Sequence, residues 1–297
     1  MLPPYLNTDS KIRIISPAGA IDASYIAGAK HLLSRWGFCV EEGKFARGKF
    51  GRFSGTEKER ISDLQDALND SEIRAIICSR GGYGLAQIID KIDFTEFLKN
   101  PKWVIGFSDI TVLHNALSNC GIASIHGFMA KDLAGLPETA KSVVRLREIL
   151  TGNLPEYKIK PHPLNRAGKA EGKLAGGNLS IICGLRGTSY DLDFYGKILF
   201  IEDVGEKPYH IDRMMQNLRL GGAFKNLSAL IVGQFSECEE DPLMNKSIAG
   251  IIYDAVKDYD FPICFNFPAG HTNTNFPLVL GANVKLTVNE NKVILKS

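Results

Sequence analysis

Residues 73–84, IRAIICSRGGYG, and residues 103–111, WVIGFSDIT, are the two stretches that decide the fold. In each, a short and almost wholly apolar run ends abruptly at glycines and polar side chains. Apolar runs of this length are typical of central strands in a parallel sheet, which are buried on both faces. The polar residues that follow would then lie at the carboxyl ends of strands, the edge at which open α/β sheets bind ligands.

Before residue 73, strand-like and helix-like patterns alternate along the sequence. Its pattern predicts strands over residues 11–16 and 38–41 and helices over residues 21–35 and 57–69. Thr56 and Glu59 have the spacing of a capping box at the start of the second helix. Strands that alternate with helices form parallel sheets, so we expect an N-terminal α/β domain with a flavodoxin-like parallel sheet.

The composition changes after a helix predicted over residues 139–150. Residues 153–168 contain three prolines and no clear period, as a linker would. We therefore expect an N-terminal domain over residues 1–152, a linker over 153–168 and a β-rich α/β C-terminal domain over 169–297. In the last domain the pattern predicts helices over 208–220 and 247–259 and strands over 197–201, 227–232, 284–288 and 293–295.

Composition excludes several classes of protein. The 297 residues are 44% apolar and 23% charged with a formal charge of +2, as in an ordinary globular protein. Lysine and arginine form no run of five or more, so no nucleic-acid partner is predicted. The N-terminus lacks a signal-peptide core and no segment resembles a membrane span, so we expect a cytoplasmic protein without a membrane partner.

Metal and nucleotide motifs are missing from the sequence. The six cysteines include no C-x-x-C pair, and the six histidines have no H-E-x-x-H spacing. The glycine run at residues 81–84 is not G-x-G-x-x-G, and no G-x-x-x-x-G-K-[ST] occurs. These absences predict reduced packing cysteines, no metal site and no nucleotide site.

Ser108 is a candidate nucleophile because it follows a buried strand and precedes a helix that carries Ile110, Leu113 and Leu117. Unpaired backbone N–H groups at a helix start, such as that of Asp109, stabilise an oxyanion formed by serine attack. The context G-F-S-D-I resembles a nucleophile elbow without its final glycine. The alternative is that Ser108 or Asp109 only caps the helix.

The glycine run Gly81-Gly82-Tyr83-Gly84 allows a backbone to approach a ligand closely. The N–H of Gly82 is a candidate second oxyanion donor, and a phosphate-binding loop or a plain turn are the alternatives.

A nucleophilic serine needs a histidine base and a carboxylate that orients it. His271 lies in the polar turn Pro268-Ala269-Gly270-His271-Thr272-Asn273, whereas the other five histidines fall in predicted helices, strands or the linker. Glu202 closes the apolar run KILFI, with Asp203 beside it. Because neighbouring strand residues point to opposite faces, only one of these carboxylates would face the histidine. One alternative is that His271 only forms hydrogen bonds with nearby backbone groups. The other is that Glu202 and Asp203 are ordinary carboxylates of a turn.

Four segments together resemble the LD-carboxypeptidase family of serine peptidases. They are G-F-S-D-I-T at 106–111, S-R-G-G-Y-G at 79–84, I-E-D-V-G-E-K-P-Y-H-I-D-R at 201–213 and A-G-H at 269–271. The resemblance places the family's catalytic serine, glutamate and histidine at Ser108, Glu202 and His271. It implies an α/β N-terminal domain with the serine, a β-rich C-terminal domain with the other two residues, and a homodimer without a cofactor.

The resemblance also implies a substrate. Family members remove the terminal D-alanine of a murein tetrapeptide during cytoplasmic recycling of cell-wall fragments, and a side branch cleaves microcin C and its processed product. For the muropeptide we expect Arg80 to bind a carboxylate, while the sequence does not distinguish diaminopimelate from lysine at the third position. The alternative from another class is a non-catalytic protein whose two lobes close on a small ligand.

Overall fold

The computed structural model describes residues 1–297, which form two compact units. Unit 1 comprises Met1–Leu154 and Phe276–Val279, and unit 2 comprises Pro155–Asn275 and Leu280–Ser297. Each unit combines one β-sheet with helices, which confirms the predicted α/β class.

Thirteen strands and nine helices make up the two units. The strands are β1 (Lys11–Ile15), β2 (Cys39–Glu42), β3 (Ile73–Cys78), β4 (Trp103–Gly106), β5 (Ser124–His126), β6 (Glu156–Ile159), β7 (Gly168–Asn178), β8 (Lys197–Val204), β9 (Ala229–Ser236), β10 (Ile263–Cys264), β11 (Leu278–Leu280), β12 (Asn283–Val288) and β13 (Val293–Lys296). The helices are α1 (Ala23–Arg35), α2 (Glu57–Asn69), α3 (Thr95–Lys99), α4 (Thr111–Asn119), α5 (Ala130–Gly135), α6 (Lys141–Leu150), α7 (Leu179–Gly184), α8 (Pro208–Leu220) and α9 (Ile248–Val256).

The sheet of unit 1 has the strand order β2-β1-β3-β4-β5-β11. The pairs from β2 to β5 are all parallel, and the order 2-1-3-4-5 is that of flavodoxin-like folds. Every residue of β4 is buried, and in β3 only Arg74 is exposed, as expected for strands covered on both faces. The prediction of a parallel, flavodoxin-like first sheet is therefore confirmed.

Helix α2 begins where its sequence predicts. The N–H of Glu59 donates to Oγ1 of Thr56, and the Glu59 carboxylate accepts from the N–H of Thr56 at 2.7 Å. This reciprocal capping box satisfies two N–H groups that would otherwise lack a partner at a helix start.

The sheet of unit 2 has the strand order β10-β9-β8-β7-β12-β13-β6. Strands β7 to β10 pair in parallel, whereas β12, β13 and β6 pair antiparallel at the other side of the sheet. Apolar side chains of α7, α8 and α9, including Ile182, Met215 and Ile252, form a core with buried residues of β8 and β9. This sheet accounts for the predicted β-rich character of the second half.

Strand β8 is longer than the sequence predicts. The expected strand ends at Ile201, but β8 continues through Glu202 and Asp203 to Val204, with a register shift against β9 between Ile201 and Asp203. Both carboxylates find hydrogen-bond partners inside unit 2, so the charged residues do not end the strand.

The segment predicted as a linker contains a strand. Strand β6 pairs with β13, and Tyr157 is buried with its ring 5.6 Å from that of Phe267. Pro155 and Pro161 flank this edge strand, a position at which proline removes no ladder hydrogen bond.

Candidate active site

Ser108 follows β4 with its backbone in the left-handed region, at a φ of 65°. A non-glycine residue in this region is strained by about 1 kcal/mol or more, so the surrounding structure must hold it there. No side-chain cap hydrogen bond exists at Phe107 or at Ile110, the residues before the helical turn and before α4. An N-cap residue also has an extended backbone, so the helix-cap interpretation of Ser108 does not fit the structure.

The glycine run after β3 lies directly against Ser108. A Cβ atom on Gly81 would lie 2.7 Å from the Cβ and 3.0 Å from the Oγ of Ser108, and 3.3 Å from the backbone nitrogen of Asp109. Gly82 has a φ of 110°, which favours glycine. The N–H groups of Gly82 and Asp109 donate no hydrogen bond within the protein, so both are available to a ligand.

Two buried side chains hold the far end of this run. The Asp109 carboxylate accepts a hydrogen bond from the N–H of Leu85 at 3.0 Å, and Arg60 donates to the carbonyl oxygens of Gly84 at 2.9 Å and Pro17 at 3.2 Å. Burial raises the pKa of Asp109, while the Leu85 N–H group opposes that shift. From the sequence only the backbone N–H of Asp109 is predicted to take part in the site, and no role is predicted for its carboxylate or for Arg60.

His114 lies in α4, beneath the turn. Its Nε2 donates to the carbonyl of Gly106 at 2.9 Å, which leaves Nδ1 to accept from the Ser124 hydroxyl at 2.8 Å. Burial lowers the pKa of His114 to about 4, so this imidazole is neutral near pH 7. It ties together β4, β5 and the helix that follows Ser108.

In unit 2 the structure brings His271 and Glu202 together. Nδ1 of His271 lies 2.7 Å from Oε2 of Glu202. The Glu202 side chain is fully buried, whereas that of His271 is 18% exposed. A proton on Nδ1 that points at a carboxylate leaves Nε2 of the imidazole as the basic nitrogen.

The loop that carries His271 is held by buried polar contacts. The N–H of Gly270 donates to Oδ1 of Asn275 at 2.9 Å, and Asn275 is fully buried. The N–H of Gln234 donates to the carbonyl of Ala269 at 2.9 Å, which fixes the same segment to β9. Gly270 has a φ of 132°, and a Cβ there would lie 3.0 Å from Oε2 of Glu202, so only glycine fits this turn. Asn275 was not identified from the sequence.

Asp203 points away from His271, as strand alternation predicts. Its carboxylate accepts from Nδ2 of Asn178 and from the N–H of Ser180, both at 2.8 Å, and so joins the start of α7 to β8. Burial raises the pKa of Asp203 to about 6, against the hydrogen bonds that favour the carboxylate.

Arg80, the predicted carboxylate-binding residue, follows β3 in unit 1. Its Nη1 donates to the carbonyl of Ala20 at 3.1 Å, whereas its buried Nε has no hydrogen-bond partner.

The structure contains neither a metal-binding cluster nor a membrane-spanning helix. No three side chains among the histidines, cysteines, aspartates and glutamates come together as a metal ion would require. None of the helices has the length and apolar character needed to cross a membrane.

The chain matches known sequence families along most of its length. Residues 12–127 match the LD-carboxypeptidase N-terminal domain, and residues 171–286 match the LD-carboxypeptidase C-terminal domain. The chain belongs to the LD-carboxypeptidase family. It is therefore a serine-type carboxypeptidase, a hydrolase, and the alternative of a non-catalytic binding protein is set aside.

Individual relatives resemble the chain in sequence or in fold. The chain is 32% identical to the probable murein peptide carboxypeptidase of Bacillus subtilis strain 168, over 99% of this LD-carboxypeptidase and 94% of that protein. It is 28% identical to muramoyltetrapeptide carboxypeptidase from Oxalobacter formigenes, whose crystal structure superposes with a TM-score of 0.88 over 96% of this chain and 97% of that one. The microcin C7 self immunity protein, 22% identical with a TM-score of 0.88 over 100% and 98% of the two chains, shares the fold.

Proposed function

We propose that this LD-carboxypeptidase releases the terminal D-alanine from muropeptides, with Ser108 as nucleophile, His271 as base and Glu202 as the residue that orients the base. The backbone N–H groups of Gly82 and Asp109 stabilise the oxyanion, and Arg80 binds the terminal carboxylate of the peptide.

The observation that carries the proposal is the hydrogen bond between His271 and Glu202. A fully buried carboxylate stabilises an imidazolium far better than an exposed one, because water does not screen the attraction. The Nδ1 contact also fixes the tautomer, so Nε2 is ready to take a proton from a serine hydroxyl. A histidine that only packed in a core would need neither the buried carboxylate nor partial exposure.

Ser108 is supported as the nucleophile by its strained backbone and by the glycine run beside it. Ser108 has a left-handed backbone, and a side chain at position 81 would overlap it and the backbone nitrogen of Asp109, so glycine is required beside it. The unpaired N–H groups of Gly82 and Asp109 are of the kind that stabilises negative charge on a tetrahedral intermediate.

The reaction has two stages. Oγ of Ser108 forms a bond to the scissile carbonyl carbon while Nε2 of His271 takes the hydroxyl proton. The C–N bond then breaks, His271 gives that proton to the leaving amine, and D-alanine departs. In the second stage His271 takes a proton from a water molecule, whose oxygen forms a bond to the acyl carbon. The bond between that carbon and Oγ of Ser108 then breaks, His271 returns the proton to Oγ, and the shortened peptide leaves with a free carboxylate.

The muropeptide substrate is supported by the relatives named for murein peptide and muramoyltetrapeptide cleavage. The proposal includes cytoplasmic recycling of cell-wall fragments as the cellular role and a homodimer as the assembly. It assigns the serine to a domain over residues 1–152 and the glutamate and histidine to a domain over 169–297, joined by 153–168.

The test is an assay of D-alanine release from free and UDP-linked murein tetrapeptides. Ser108→Ala should reduce kcat on the order of 10⁶-fold, because removal of one member disables a triad that acts as a unit. Ser118→Ala, a partly buried serine of α4, serves as the matched control and should retain the wild-type rate. A Ser108→Ala enzyme of near-normal activity would remove this residue from the mechanism. Cleavage of a microcin-type amide without D-alanine release would replace the proposed substrate.

A further inference from the structure

A large cavity of unit 1 lies beside the glycine run. It has a volume of about 750 Å³ and is lined by the residues after β1, such as Ala20 and Ile21, and by Arg80, Gly82 and Tyr83 after β3. Strands β1 and β3 are neighbours although β2 lies between them in sequence, so the direction in which successive strands are added to the sheet reverses here. Ligands of flavodoxin-like sheets bind at this switch point. The volume is within the usual range of small-molecule sites.

The lining of the cavity is strongly cationic. Arg47, Lys49, Arg52 and Arg80 contribute four positive charges, and Asp22 contributes the one negative charge. Asp22 is already engaged, since its carboxylate accepts hydrogen bonds from the backbone and hydroxyl of Ser24 at the start of α1.

Only one of the four cations is neutralised within the protein. Arg47 forms two hydrogen bonds to the Glu42 carboxylate, at 2.6 and 2.9 Å. The side chains of Lys49 and Arg52 have neither an ion pair nor a hydrogen bond, and Arg80 has no ion pair and donates only to the carbonyl of Ala20. Three unpaired cations around one concave surface attract an anionic ligand and repel a cationic one.

We infer that this cavity is an acidic-peptide subsite in which Lys49 and Arg52 bind a second carboxylate of the substrate, in addition to the terminal carboxylate assigned to Arg80. The inference rests on the proposed function and deepens it, because it states which peptides the enzyme prefers. Gly82 lines the cavity and Gly81 contacts Ser108, so a peptide held here has its chain beside the nucleophile. Peptides whose internal carboxylates are amidated lose the contact with Lys49 and Arg52.

The experiment compares two tetrapeptides that share a free terminal carboxylate and differ in whether the internal carboxylates are free or amidated. For the wild-type enzyme, kcat/KM should be at least about tenfold higher for the acidic peptide, as expected for two charge-assisted contacts. In Lys49→Glu/Arg52→Glu this preference should disappear or reverse. Because the variant changes only exposed side chains, it should fold like the wild type, and this is checked by comparing the two melting temperatures.

The matched control is Lys58→Glu/Lys141→Glu, which makes the same change of charge at two exposed lysines in the first turns of α2 and α6. This control should keep the wild-type preference, which separates local binding from the effect of net charge. An equal preference in the wild type and in Lys49→Glu/Arg52→Glu would overturn the subsite.

Equilibrium binding of the same two peptides separates this inference from the catalytic proposal. If no D-alanine is released but the acidic peptide still binds at least about tenfold more tightly than the amidated one, the subsite stands and the proposed reaction fails. If D-alanine is released equally from both peptides, the reaction stands and the subsite fails.

Discussion

Replacing Gly81 by alanine tests whether the glycine run positions Ser108, the nucleophile that we propose. The new Cβ would lie 2.7 Å from the Cβ of Ser108, whereas ordinary van der Waals contacts begin near 3.4 Å. Relief of this overlap requires Ser108 or the run to move by roughly 0.7 Å, the difference between these two distances. Because a misplacement of about 1 Å in a catalytic group costs about 10²-fold, we expect kcat/KM to fall about 10- to 100-fold.

The same substitution also has an expected effect on stability. Overpacking of a well-packed site costs about 1–3 kcal/mol. For a unit of about 150 residues, this loss corresponds to a melting temperature lower by about 2–12 °C. Activity is therefore measured near 20 °C, where the variant remains folded, and the melting temperature is measured by scanning calorimetry.

Gly135→Ala is the matched control, because a Cβ on Gly135, the last residue of α5, meets no atom within 4 Å. This variant should keep both the activity and the melting temperature of the wild type. A Gly81→Ala enzyme whose kcat/KM stays within about twofold of the wild type would refute the reasoning, since the run would then move away without disturbing Ser108.

Two further predictions concern buried polar groups. Asn275→Ala leaves the buried N–H of Gly270 without its acceptor, so we expect a loss of about 1–3 kcal/mol in the free energy of unfolding and a lower kcat. Denaturant unfolding and D-alanine release measure these effects. The control Asn273→Ala, at an exposed position of the same loop, should match the wild type in both. His114 has a pKa of about 4 in the folded protein, below its value of about 6.5 in the unfolded chain. Its contribution to the free energy of unfolding is therefore fully present above pH 6.5, and about 3 kcal/mol of it is lost as the pH falls to 4. Urea unfolding from pH 7 to pH 4 should show this loss in the wild type and not in His114→Gln, and equal pH profiles would contradict the assignment.

Local patterns are sufficient to predict most of unit 1. The buried runs IRAII and WVIG are short, apolar and bounded by glycine, and these features depend only on neighbouring residues. The capping box at Thr56 is likewise written in four consecutive residues. In unit 2, local patterns offer His271 and two neighbouring carboxylates as candidates, and it is the resemblance to the LD-carboxypeptidase family that selects Glu202.

Contacts between distant residues explain what the sequence did not reveal. Arg60 precedes Gly84 by 24 residues. Nothing in the sequence of α2 indicates that this arginine is buried, unlike most arginines, which face solvent. The prolines around strand β6 indicate a linker when only neighbouring residues are considered. The strand forms because it pairs with β13, which lies more than 130 residues away in the chain. The continuation of β8 through two carboxylates depends on partners at Asn178 and His271, which strand propensity does not register.

The positions at which local preference and structure disagree most are Ser108, Asp109 and Glu202. A serine in the left-handed region, a buried aspartate after it and a fully buried glutamate inside a strand each reduce the stability of the fold. Such costs persist where the neighbouring structure is rigid enough to impose them, and here the neighbours are buried strands β4 and β8. Strain of this kind concentrates at functional sites, so in each unit it supports the role that we propose for these residues, independently of the resemblance to a known family.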